Sequence, residues 1–176
     1  MTKADKKIIV LIIFALTLPF LFSCNAKPAD PAAAIAVSDK PFTVNASVKY
    51  GELETELNIQ RQETGLAYVQ VLKSENLNDL DYTFQDNRMA VSYMGLVFTI
   101  EPEQFPGDAV SYAILAAINA AWNPETAEVS DIGGIYLFKA AGADFELTTD
   151  SETGALLRLS CPGQKLDVTF SNFNFI

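Results

Sequence analysis

From Phe42 the chain alternates apolar and polar residues: Phe42, Val44, Ala46, Val48 and Tyr50 against Thr43, Asn45, Ser47 and Lys49. A period of two sends successive side chains to opposite faces, so this run reads as a half-buried strand. Gly51 punctuates it. Leu53, Leu57 and Ile59 then alternate with Glu52, Glu54, Glu56, Asn58 and Gln60, and the two runs read as a hairpin with its charged side in water.

The same pattern continues along the chain. Glu63-Thr64-Gly65 reads as a turn before a strand over Leu66–Leu72, and the polar stretch Ser74–Asp81 as a loop. Strands over Asp81–Phe84 and Met89–Tyr93 flank Gln85-Asp86-Asn87-Arg88, a hairpin signal. Leu96–Ile100 extends the sheet after Gly95, until Pro102 and Pro106 stop strand pairing.

Between Pro106 and Pro124 the period becomes helical, with Asp108 as the expected N-cap. Val110, Ile114, Ile118, Ala121 and Trp122 share one face, too apolar to lie exposed. Strands resume over Ile135–Ala140, Asp144–Thr149, Leu156–Cys161 and Lys165–Ile176. In the last, Leu166, Val168 and Phe170 have one parity and Phe173 and Phe175 the other, which predicts a bulge near Ser171-Asn172. The sum is an α+β chain, mostly β. It is a curled antiparallel sheet of about nine to ten strands with one main apolar helix against the concave face.

Upstream lies a targeting segment. Lys3, Lys6 and Lys7 precede an apolar run of 15 residues, Ile8–Phe22. A stable membrane span takes roughly 20, whereas signal-peptide cores are shorter. Leu21-Phe22-Ser23-Cys24 resembles the lipobox of bacterial lipoproteins, in which Cys24 receives a diacylglycerol and becomes the first mature residue. The expected division is a signal peptide over 1–23, a lipidated cysteine with a flexible Ala/Pro-rich tether over 24–41, in which Ala32–Val37 forms a helical turn only if docked on the domain, and a domain over 42–176. As a coil, the tether would span on the order of 20–25 Å. The expected location is the outer face of the cytoplasmic membrane, held by lipid. An uncleaved N-terminal anchor is the other reading of the same segment.

Without residues 1–23 the chain loses three lysines and one aspartate, leaving 9 Lys+Arg against 21 Asp+Glu, a net charge of −12. That excludes nucleic-acid binding through clustered cations, and an anionic membrane surface would repel it. The chain has no histidine, which removes the commonest general base and zinc ligand. With Cys24 lipidated, Cys161 has no partner for a disulfide and reads as a small buried hydrophobe. Glu52, Glu54 and Glu56 lack the loop geometry of a calcium cage and read as a solvated face. No catalytic residue, metal site or cofactor is expected beyond the lipid on Cys24.

The order of elements also carries a resemblance. Phe42-Thr43…Tyr50-Gly51 opens the meander, and a Pro-flanked helix follows the Val91-Ser92-Tyr93-Met94-Gly95 region. Leu147-Thr148-Thr149-Asp150…Thr153-Gly154…Leu157-Arg158-Leu159 and Val168-Thr169-Phe170-Ser171-Asn172-Phe173 close it. Over Phe42–Ile176 this resembles the LolA/LolB-like lipoprotein-carrier superfamily, and above all the small LolA-like lipoproteins of Gram-positive bacteria. The resemblance implies an unclosed half-barrel around helices, with an apolar cavity that holds acyl chains in some members. Other members bind a partner protein outside the membrane.

Large apolar residues fall on the expected concave face: Phe42, Tyr50, Leu57, Tyr93, Phe98, Trp122, Phe138, Phe145 and Phe170. Of these, Tyr50, Tyr93, Phe98, Trp122, Phe138 and Phe145 are the candidate ligand-binding residues; ordinary core is the competing explanation. The expected function is non-enzymatic binding of a lipid or of an envelope protein. The alternative is a structural or regulatory adaptor for a cell-wall-remodelling enzyme, with no small-molecule ligand.

Overall fold

The computed structural model describes residues 26–63, 66–73, 80–85, 88–100 and 110–176. The lipobox with Cys24, residues 64–65, 74–79 and 86–87 of the expected turns and loop, and Pro102, Pro106 and Asp108 lie outside these residues. The last two residues of the expected Ser74–Asp81 loop, Leu80 and Asp81, instead open a strand.

The described chain runs β1 (Lys27–Pro28), α1 (Pro31–Ser38), β2 (Phe42–Tyr50), β3 (Leu53–Glu63), β4 (Leu66–Lys73), β5 (Leu80–Gln85), β6 (Arg88–Tyr93) and β7 (Leu96–Ile100). It continues with α2 (Val110–Ala121), β8 (Ala127–Asp131), β9 (Ile135–Ala140), β10 (Glu146–Asp150), β11 (Leu156–Cys161), a 3-10 turn (Pro162–Gln164) and β12 (Leu166–Phe175). All twelve strands form one antiparallel sheet in the order β1-β8-β9-β10-β11-β12-β2-β3-β4-β5-β6-β7. The sheet does not close: β1 and β7 are its two edges. It is a curled, mostly antiparallel half-barrel with helices, as the alternation requires. The two strands beyond those expected are β1 and β8.

Alternation puts Val44, Ala46 and Val48 of β2, Leu57 and Ile59 of β3, and Leu166 and Val168 of β12 in the core. The outer face stays charged, with Lys49 beside Glu54 at 3.5 Å and Lys73 beside Glu56 at 3.7 Å. In β12 the register slips between Ser171 and Asn174, and Asn172 takes a positive φ of 53°. The slip turns Phe173 inward, where it stacks on Phe42 at 5.3 Å.

Helix α2 buries Ile114, Leu115, Ile118 and Ala121, packing against β8, β9 and β10. At its C-terminal end Trp122 meets the edge of Phe42 at 5.9 Å and lies under the Arg61 guanidinium at 4.8 Å. Arg61 is buried on the inner face and donates to Asp39 Oδ1 at 2.7 Å. The charge is thus retained inside by an ion pair and an aromatic face.

The expected flexible tether over 24–41 is corrected for residues 27–38, which are folded onto the domain. β1 pairs with β8, and Ala29 N–H donates to the Val129 carbonyl at 3.0 Å. Asp30 caps α1 by accepting from Ala32 N–H at 3.1 Å, and Pro31 occupies the first turn. Ala34, Ile35 and Ser38 are buried. The docking on which a helical turn over Ala32–Val37 depends is present: the polarity of this segment has almost no helical period, and Ala34, Ile35 and Ser38 seat it.

Candidate functional site

Antiparallel pairing places directly opposed residues on the same face of a sheet. One such inward row runs Val44–Ile59–Val69–Tyr82–Val91–Phe98, across β2 to β7. Its first three members are buried, Tyr82 and Val91 are half-buried, and Phe98 is 58% exposed. A parallel row, Leu80–Tyr93–Leu96, goes the same way: Leu80 is buried, Tyr93 is 38% exposed and Leu96 is 61% exposed. The row beneath, Phe42–Arg61–Ala67–Phe84–Met89–Ile100, stays buried as far as Met89.

Helix α2 packs mainly against β8, β9 and β10, and the exposure of the inner face rises from β5 toward the β7 edge. The candidate site is therefore a concave apolar shelf of Leu80, Tyr82, Val91, Tyr93, Leu96 and Phe98. Its chemistry is that of a hydrophobic support with two phenol hydroxyls. Partial burial raises the Tyr82 pKa, so that hydroxyl stays a neutral hydrogen-bond donor. Eleven consecutive residues, Ala90–Ile100, carry no charge in a chain of net charge −10.

The six residues proposed from sequence divide between two places. Tyr93 and Phe98 meet on this shelf. Trp122, Phe138 and Phe145 are core, and Tyr50 is half-buried against that core, opposite Leu166. Phe42, Leu57 and Phe170 are core as well. Leu80, Tyr82, Val91 and Leu96 were missed. Their signal was present in the parity of β5, β6 and β7, which assigns them the same face as Tyr93 and Phe98.

Two other hollows differ in character. One of about 370 Å³ lies beside the small-residue face of α2, lined by Ala113, Ala116, Ala117, Ala120, Phe145 and Cys161. Burial first, and Asp144 second, push the Cys161 thiol pKa up, which disfavours the thiolate needed of a nucleophile. The other, about 400 Å³, is an open saddle on the outer face of β2, β3 and β12 with Lys49, Glu54, Glu56, Lys73 and Asp167 around it. Among the described residues no group of three or more His, Cys, Asp or Glu side chains could hold a metal ion. No described helix is long and apolar enough to cross a membrane.

No protein-family model matches the chain. The comparison with curated proteins also finds no match. Solved structures do resemble it. An uncharacterized conserved protein from Thermus thermophilus aligns over 82% of this chain and 84% of its own, at 11% identity and a TM-score of 0.51. A DUF1329 family protein from Desulfovibrio piger aligns over 83% and 91%, at 12% identity and a TM-score of 0.47. A LolA superfamily protein from Nitrosomonas europaea aligns over 82% and 91%, at 6% identity and a TM-score of 0.40. The Thermus thermophilus protein shares the fold of this chain. At these identities the likeness concerns the fold alone.

Proposed function

We propose that this chain is a non-enzymatic, lipid-anchored lipoprotein outside the cytoplasmic membrane, and that it holds an apolar ligand on the β5–β7 shelf. The ligand class is an acyl chain or another slender apolar group. One observation supports the reading above the others: the inward row that begins buried at Val44 ends 58% exposed at Phe98, with no change of face or polarity. Monomeric soluble proteins rarely leave contiguous apolar surface uncovered without a use for it.

The anchor reading rests on Leu21-Phe22-Ser23-Cys24. With β1 starting at Lys27, a lipid on Cys24 would hold the β1 edge within about 10 Å of the attachment point. A short leash suits a domain whose net charge of −12 would otherwise drive it from an anionic surface.

Two measurements test this. Titration of the chain from Ala26 onward with a fluorescent fatty acid should saturate, and Val91→Glu should weaken it at least tenfold, because a carboxylate would stand in the middle of the shelf. Equal binding by both chains would sink the ligand reading. Separately, Cys24→Ser should move the full-length protein out of the lipid-labelled pool in cells fed radioactive palmitate. Unlabelled wild-type protein would sink the anchor reading.

A further inference from the structure

The two edges of the sheet are built differently. β1 is two residues long, and those residues are Lys27 and Pro28. A short edge with a lysine and a proline is how proteins prevent strand addition. β7, Leu96-Val97-Phe98-Thr99-Ile100, has no lysine, no proline, no charge and no bulge, and its five residues pair in unbroken register with β6. Among the described residues no strand lies on its other side. Its side chains are exposed on both faces: Phe98 and Leu96 inward, and Val97 outward at 67%.

We propose that the β7 edge pairs with β7 of a second copy of this chain, antiparallel about a two-fold axis at Phe98. The strand is self-complementary in that register. Phe98 faces Phe98, Leu96 faces Ile100 on the inner side, and Val97 faces Thr99 on the outer side. Centring on Phe98 pairs all five residues, whereas any other centre leaves some of them unpaired. β-Branched and aromatic residues opposite one another are favourable cross-strand partners. The absence of charge also matters. Two chains of net charge −10 repel, yet the strand that must approach its copy contributes nothing to that repulsion. The interface is isologous, so it closes at two copies and does not propagate. It joins the two inner faces through one continuous sheet, so the apolar shelf of one copy runs into that of the next. This pairing does not depend on what the shelf holds.

The test uses the full-length chain in membranes of a bacterial host. In a Cys161→Ser background, Phe98→Cys places two thiols opposite each other at Cα separations of about 4.5–5.5 Å, within reach of a disulfide. Mild oxidation should give a reducible band at twice the protomer mass, above any background from the Cys161→Ser parent. Adding Val97→Lys, on the outer face and away from the shelf, should cut that band at least tenfold by putting two like charges at the seam. Light scattering of the detergent-extracted wild-type chain should give two protomers, and Val97→Lys one. A monomer mass for the wild type, or a Phe98→Cys band no stronger than the parent's, would overturn the proposal. So would cross-linking only to a chain of a different mass, which would assign the edge to a foreign strand.

Discussion

Val91 and Phe98 stand directly opposite each other on β6 and β7, on one face, yet Val91 is half-buried and Phe98 is 58% exposed. The difference is one of cover, since pairing and polarity are the same for both. The exposure of the inner face rises toward the β7 edge, and the last strand of the sheet presents apolar side chains to solvent.

Replacing Phe98 should therefore separate binding from folding. Phe98→Glu removes no core contact of the protomer, so at dilutions where the chain is single its stability should move by no more than about 0.5 kcal/mol, as for most surface changes. Binding of a fluorescent fatty acid should fall at least tenfold. Chemical denaturation and a binding titration on the same preparation check both halves.

Phe138 should behave in the opposite way. It is fully buried beneath α2, with Tyr136 edge-on at 6.3 Å and Leu147 opposite on β10. Phe138→Ala should cost about 3–5 kcal/mol in urea unfolding, as aromatic truncations in cores do. The refolded fraction should still bind the probe as the wild type does.

This contrast also shows how far the sequence could be read. Strict alternation gave β2, β3 and the inward parity of β6 and β7, and the parity flip after Phe170 located the slip at Ser171–Asn174. Parity, however, assigns a face without saying what covers it. Phe98 and Phe138 look alike in sequence, and only the placement of α2 over β8–β10 makes one core and the other surface. β8 escaped notice because Val129 is its one buried apolar residue. The helix over Pro31–Ser38 was legible only as a turn over Ala32–Val37 conditional on docking, because its alanines show no amphipathic stripe and its seat is formed by a turn more than a hundred residues away.

That seat gives the next prediction. Gly154 has φ +73°, and a Cβ added there would stand 2.5 Å from the Val37 carbonyl oxygen and 3.0 Å from Ser38 Cα. Both neighbours are backbone and cannot swing aside. Gly154→Ala should cost more than the roughly 1–2 kcal/mol of a left-handed residue alone, because α1 must also lift away. Thermal melting should show the loss, and limited proteolysis should begin to cut within residues 29–40, which wild-type protein resists.

Asp150 makes the neighbouring turn sensitive to pH. Its Oδ1 accepts from Thr153 N–H at 2.7 Å, from the Thr153 hydroxyl at 2.7 Å and from Glu152 N–H at 3.1 Å. The Thr153 backbone bond first, and its hydroxyl next, hold the carboxyl below the ordinary aspartate value. The folded pKa is depressed, so this contribution is complete above the unfolded value of about 3.9. It is lost as pH falls through the folded pKa. Asp150→Asn should flatten the acid limb of a stability–pH curve and leave the slope above pH 6 unchanged. An identical acid limb in both proteins would contradict this.

Cys161 should be slow toward alkylation. It is buried, and desolvation raises its thiol pKa, with Asp144 adding to the effect. At pH 7 iodoacetamide should label it far more slowly in folded than in urea-unfolded chain, and the folded rate should climb as pH rises. Equal rates in the two states would show an accessible thiol.

The most direct measurement of the central claim is native mass spectrometry of the wild-type chain and Phe98→Glu, both extracted from their own host's membranes under the same conditions. The shelf formed by Tyr82, Val91 and Phe98 predicts a retained adduct of lipid mass, beyond any covalent lipid on Cys24, in the wild type and its loss in Phe98→Glu. Two chains free of adduct, or two carrying it equally, would contradict a ligand-binding shelf on β5–β7.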